Sequence, residues 1–165
     1  MSGLEIERKF LVRKTSDWKS KIESSTAIIQ GYIPANGATV RIRLRDGKGY
    51  LTIKSPSKNG LSRYEFEKEI TRNEAENLLN LCARNKISKC RYVAHIGQHV
   101  WEIDEFYGEN HGLVMAEVEL KSEDEEFELP DFAGAEVTFD KRFRNAYLIS
   151  HPFSKWKNNM PDIYR

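Results

Sequence analysis

A chain of 165 residues and 19.2 kDa has room for a hydrophobic core that needs neither a disulfide nor a structural zinc. Its 26 Lys+Arg against 25 Asp+Glu leave a formal net charge of +1, which excludes the whole-surface basicity of a general nucleic-acid binder and the acidity of a solvating tail. With 39% hydrophobic residues, no apolar run long enough to span a bilayer and no signal-like segment in MSGLEIERKFLV, the expectation is a folded cytoplasmic protein.

Period-2 alternation predicts a first strand at Leu4–Val12, with Glu5, Glu7 and Lys9 on one face. A short helix over 17–24 would bury Trp18 and Ile22. Strands follow at 27–33, 39–45 and 49–54. In the third, Val40, Ile42 and Leu44 oppose Arg41, Arg43 and Arg45; in the fourth, Leu51 and Ile53 oppose Lys54. Asp46-Gly47 between these two is hairpin chemistry, and Asn59-Gly60 leads into a fifth strand at 61–70. There Tyr64, Phe66 and Ile70 oppose Arg63, Glu65, Glu67 and Glu69. Thr71 and Glu74 match a capping box, and Ala75, Leu78, Leu79 and Cys82 recur at helical spacing, so 72–84 is predicted as an amphipathic helix. Three further strands, at 87–94, 98–106 and 113–121, add Lys89 and Arg91, Glu102 and Asp104, and Glu117 and Glu119 to the charged face. A last helix over 141–150 would bury Phe143, Ala146 and Tyr147, and 151–165 reads as a tail whose Trp156 and Tyr164 can cover an apolar surface. No repeat or linker divides the chain, so one domain over 1–165 is expected, with 1–150 as its core. Cys82 and Cys90 read as small core residues of a reduced protein.

The shared face thus carries nine acids and eight bases and almost nothing else, whereas a solvated sheet face usually includes Thr, Ser and Gln. Eight strands suffice to close a barrel with an interior of side-chain or small-ligand size. Closure would turn the charges inward and the apolar face outward, beneath helices. The predicted fold is therefore mainly β (α+β): an eight-stranded antiparallel tunnel with a charged interior and helices packed outside. Glu5 with Glu7 and Glu117 with Glu119, each pair at i, i+2, offer oxygen ligands suited to Mg²⁺ or Mn²⁺. His95, His99, His111 and His151 lack zinc-ligand spacing. Lys9, Arg41, Arg43, Lys54, Lys89 and Arg91, on separate strands, match the oxygens of an extended phosphate polyanion. Such crowded bases are expected to repel one another when no ligand is present.

At this point the residues carry a resemblance. Glu5-Ile6-Glu7-Arg8-Lys9 matches the ExExK signature of the CYTH, or triphosphate tunnel metalloenzyme, superfamily, and EIERKFLV resembles its short bacterial members. The likeness continues through Gln30-Gly31-Tyr32, Val40-Arg41-Ile42-Arg43, Gly49-Tyr50-Leu51-Thr52-Ile53-Lys54, Glu65-Phe66-Glu67, Lys89-Cys90-Arg91-Tyr92, Trp101-Glu102-Ile103-Asp104-Glu105-Phe106 and Ala116-Glu117-Val118-Glu119-Leu120. It implies an eight-stranded tunnel that binds a triphosphate with a divalent metal. Glu5, Glu7 and Glu119 would be metal ligands with Glu117 close by. Lys9, Arg41, Arg43, Lys54, Lys89 and Arg91 would hold phosphates. Glu65, Glu67 and Asp104 would position water, a second metal or the basic side chains. Glu5, Glu7, Lys9, Lys54, Lys89 and Glu119 form the implied catalytic set, and no motif names the general base. The resemblance also implies closure of one tunnel end by a C-terminal helix, for which 141–150 is the candidate. The short chain favours hydrolysis of inorganic triphosphate to pyrophosphate and phosphate. The alternatives are a class IV-type adenylate cyclase, another enzyme of nucleoside or organic triphosphates, or a non-catalytic polyphosphate-binding module. The implied partner is a small polyphosphate, without nucleic acid or membrane. Oligomeric state is not legible.

Overall fold

The computed structural model describes residues 3–165. In chain order its elements are β1 (Leu4–Val12), β2 (Ser24–Ile33), β3 (Thr39–Arg45), β4 (Lys48–Lys54), β5 (Ser62–Ile70), α1 (Arg72–Leu81), β6 (Lys86–Ile96), β7 (His99–Phe106), β8 (Val114–Glu119), β9 (Ala133–Glu136) and α2 (Asn145–Ser150). Eight antiparallel strands run β1-β5-β4-β3-β2-β6-β7-β8 and return to β1, closing a barrel. The closing seam is short: Leu4↔Tyr64, Glu5↔Arg63 and Ile6↔Ser62. Beyond it the same edge of β1 is taken by β9, through Phe10↔Glu136 and Val12↔Ala133, a strand that its Ala-Gly-Ala-Glu sequence did not announce. The β3–β4 turn is made by Asp46 and Gly47, both with positive φ (52° and 73°), the hairpin geometry that Asp-Gly favours.

The helices are shorter than their sequence pattern predicts. β2 begins at Ser24, because Ser24, Ser25 and Thr26 pair with Val93, Tyr92 and Arg91. Only a 3₁₀ turn at Trp18–Lys21 is left of the helix expected over 17–24, held by Trp18 edge-on to Tyr92 at 5.1 Å. α1 has its capping box but ends at Leu81, since Ala83 turns to a positive φ of 50°. The helix expected over 141–150 divides at Arg144, which is extended, into a 3₁₀ turn at Lys141–Phe143 and α2. The division sends Phe143 and Leu148 into the core and leaves Ala146 exposed. Residues 151–165 are docked rather than trailing: Phe153 is fully buried, Trp156 packs edge-on against Phe143 and Phe153, and Tyr164 Oη accepts from Ala135 N.

Three apolar clusters hold the barrel. Outside, α1 lays Ala75 and Leu79, with its C-cap residue Cys82, on Ile42. On the opposite exterior, Trp101 and Phe10 are covered by Phe127 and Phe132. The third cluster is inside. The inward parity that carries Glu7 and Lys9 continues to Leu11, and likewise Lys89 to Ile87, Asp104 to Phe106 and Glu117 to Met115. These side chains meet Val137, Phe143, Leu148 and Phe153 and fill one end of the interior. Charge therefore lines only part of the inward face. The exterior is also less covered than expected, with Leu4, Ile53, Tyr64 and Phe66 exposed and no helix over them.

Candidate active site

What remains of the interior is a cavity of about 790 Å³ lined by all eight barrel strands and the C-terminal segment. Glu5, Glu7, Lys9, Arg41, Arg43, Lys54, Glu65, Glu67, Lys89, Arg91, Glu117 and Glu119 all reach it. Strand alternation alone brings them together, because each sits on the inward parity of its own strand. Asp104 does not line the cavity. It is 1% exposed and lies behind the wall, where Lys89 Nζ donates to Oδ2 at 2.5 Å and Arg91 donates from Nε and Nη2 at 2.7 and 2.8 Å.

Most bases in this wall are paired, contrary to the repulsion expected of them. Arg91 reaches Glu102 at 2.7 Å and Glu117 at 3.7 Å in addition to Asp104. Lys9 meets Glu117 at 3.3 Å. Lys54 lies between Glu5 at 2.5 Å and Glu65 at 2.9 Å, and Arg63 also donates to Glu5. Burial works to raise the Asp104 carboxyl, but Arg91 and Lys89 outweigh it and hold the group well below the usual carboxylate range. Burial likewise opposes ionisation of Glu117, yet Lys9 and Arg91 bring it down to about 2. Lys89 is pulled down to about 7 by burial, with Asp104 resisting and Arg91 and Arg43 assisting.

Two groups of side chains escape this pairing. Glu7 and Glu119 face each other in register across β1 and β8, and neither has a basic partner within ion-pair distance among the described residues. Burial, then Glu117 and Glu5, push Glu7 up to about 7; burial, then Glu5, Glu65 and Glu102, raise Glu119. Like charges directly opposed on a sheet destabilise it, so a hard cation fits here, and the donor set is all oxygen. Among the described residues no three ligating side chains already converge on one point, because Glu5 and Glu117 are held by bases. The second is Arg43 on β3. Arg43 Nε donates to the neutral Gln30 Oε1 at 3.2 Å, whereas the neighbouring Arg41 is held through Nη2 by Glu67 at 3.4 Å and Thr52 Oγ1 at 3.0 Å, with only its buried Nε unpartnered.

Sequence reasoning missed several residues of the cavity wall. Tyr32 shares the inward parity of β2, so alternation alone could have found it. Lys141, Arg144, Asn145 and Tyr147 carry no such signal, because they reach the cavity only when the chain doubles back across the barrel end.

Comparison with known proteins agrees with this geometry. Residues 3–146 match the CYTH domain model. The chain is 43% identical over 157 residues to an inorganic triphosphatase of Acetivibrio thermocellus, covering 94% of this chain and 99% of that protein. It is 36% identical over 150 residues to an inorganic triphosphatase of Nitrosomonas europaea, covering 87% and 95%. A crystal structure of an inorganic triphosphatase superposes with a TM-score of 0.63 at 32% identity, covering 88% of this chain and 93% of that one. A charged eight-stranded barrel, a family match over most of the chain and relatives of this identity have one reading: the chain belongs to the CYTH domain family.

Proposed function

We propose that this protein is a divalent-metal-dependent triphosphatase that cleaves inorganic tripolyphosphate to pyrophosphate and phosphate inside the barrel. The observation that carries the reading is one cavity that brings bases from separate strands together with two opposed acids, Glu7 and Glu119, that have no basic partner within ion-pair distance among the described residues. The names of the relatives support the choice of substrate. In this reading Glu5, Glu7 and Glu119 hold Mg²⁺ or Mn²⁺, with Glu117 adjacent. The metal supplies charge neutralisation and polarisation of the phosphoryl group. Lys9, Arg41, Arg43, Lys54, Lys89 and Arg91 bind and orient the phosphates, and Asp104 fixes Lys89 and Arg91 from behind. Glu65 and Glu67 stand on the same wall, where they can position a water in line with a terminal phosphorus. Water oxygen bonds to that phosphorus and the bridging P–O bond breaks; one water proton stays on the orthophosphate formed and the other is taken up by the departing pyrophosphate. Free Cys82 and Cys90 fit a reducing, cytoplasmic setting.

Orthophosphate release from tripolyphosphate tests the proposal. Release is expected with Mg²⁺ or Mn²⁺ and none in EDTA. Cyclic AMP from ATP with tripolyphosphate left intact would assign the cyclase reading, and binding of both compounds without turnover would assign a binding module.

A further inference from the structure

Gln30 has no solvent exposure and lies on the inward face of β2 between Ile28 and Tyr32. A guanidinium can only donate, so the Arg43 Nε contact requires Gln30 to present its oxygen. The amide nitrogen then donates to Tyr32 Oη at 2.6 Å and Asn145 Oδ1 at 3.3 Å. Asn145 begins α2, and its Oδ1 also accepts from Lys89 Nζ at 3.0 Å. Arg43–Gln30–Asn145–Lys89 is therefore one continuous chain in which two neutral amides join two cations. No carboxylate lies within ion-pair distance of Arg43 among the described residues, whereas Arg91 has three. Burial, then Arg41 and Arg91, draw Arg43 down to about 10, as expected of a cation without a countercharge.

We infer that Gln30 and Asn145 are positioning residues whose neutrality is the working feature: they aim Arg43 and Lys89 at the substrate while leaving the charge of Arg43 uncompensated for phosphate. The inference rests on the triphosphatase reading above. A carboxylate at either place would hold the same cation equally well but would compete with the incoming polyanion. An amide offers the same acceptor oxygen without that competition. Because Asn145 comes from the C-terminal segment, the chain that fills the barrel end also completes the mounting of the cations.

Gln30→Glu and Asn145→Asp keep side-chain size and the acceptor oxygen and add one negative charge. With Mg²⁺ present, each is expected to raise KM for tripolyphosphate by at least about tenfold while kcat changes by less than about threefold. Without ligand, Gln30→Glu should melt at or above the wild-type temperature, because its new carboxylate pairs with Arg43. The upward melting shift produced by tripolyphosphate in EDTA should shrink in both variants. Asn145→Asp carries the test alone if Gln30→Glu does not fold, since an acid at a helix start next to Lys89 is well tolerated. Variants that melt earlier yet keep the wild-type KM would show the amides to be purely structural and would overturn the inference. Wild-type protein that neither binds nor cleaves tripolyphosphate would instead remove the function reading itself; active wild type with indistinguishable variants removes only this inference.

Discussion

The two sides of the cavity hold their cations in opposite ways. On β6 and β7, Lys89 and Arg91 share Asp104, and Arg91 reaches two further acids, so that wall is an ionic lattice closed on itself. On β2 and β3, Arg43 leans on an amide with no acid in reach among the described residues, although its neighbour Arg41 meets Glu67 at 3.4 Å, and further support comes from outside, where α1 packs on Ile42. Residues of one type and one parity thus differ in what they have available for a ligand. A lattice fixes geometry but requires an incoming phosphate to displace carboxylates. An amide mounting costs internal stability and keeps charge free.

The lattice is where one substitution should do most damage. Asp104→Ala leaves Lys89 and Arg91 buried without their shared partner, and a loss of about 3–5 kcal/mol in unfolding free energy is expected by urea denaturation. A loss below 1 kcal/mol would mean that solvent, not Asp104, compensates these bases. The same group sets an acid limb. Its folded pKa lies below the unfolded value of about 3.9, so its contribution is fully present above that pH and is lost as pH falls towards the folded value. Urea midpoints should decline below about pH 4, and a midpoint that rises on acidification would contradict the sign.

The amide side should respond in the reverse sense. Arg43→Met keeps most of the stem volume while removing a charge that sits near Arg41 and Arg91. The ligand-free melting temperature should hold or rise, and tripolyphosphate binding should weaken by about 1.5–3 kcal/mol, the range for a hydrogen bond to a charged group. If calorimetry instead shows unchanged binding with an earlier melt, Arg43 belongs to the structural class and the contrast between the walls disappears.

Alternation made the barrel legible because it is a local rule: Arg41, Arg43, Glu65, Glu67 and Arg91 each reveal their side from their immediate neighbours. Whether a base is paired is not local. It depends on which strands become neighbours and in what register, and nothing near Arg91 in sequence announces Arg91 opposite Asp104. The same limit hid β9, which exists because the seam of β1 with β5 stops at Ile6 and leaves an edge to be covered. It also hid the filled barrel end, where Leu11, Phe106 and Met115 looked like ordinary strand residues until Phe143 and Phe153 arrived from 28 or more positions away. The capping box was readable in full because both its halves lie within one turn of helix.

That capping box offers the mildest probe of the two-wall contrast. Thr71 Oγ1 accepts from Glu74 N at 3.1 Å and Thr71 N donates to Glu74 Oε2 at 2.8 Å. The helix it starts touches the outer side of the amide-mounted wall closely: a Cβ on Gly31 would lie 2.7 Å from Cys82 Sγ, and one on Gly49 would lie 2.5 Å from the Ala75 Cβ. Gly31 is the residue between Gln30 and Tyr32, so the seating of α1 bears directly on the strand that carries the amide. Thr71→Ala removes one of the two reciprocal bonds and should cost about 1 kcal/mol, seen as a melting temperature lower by about 2–4 °C. KM for tripolyphosphate should not change, because Ala75, Leu79 and Cys82 keep their contacts with β3 and the first turn merely frays. A rise in KM matching that of Gln30→Glu would contradict this, and would mean that the helix, through the backbone of Gly31, rather than the amide itself, sets the position of Arg43.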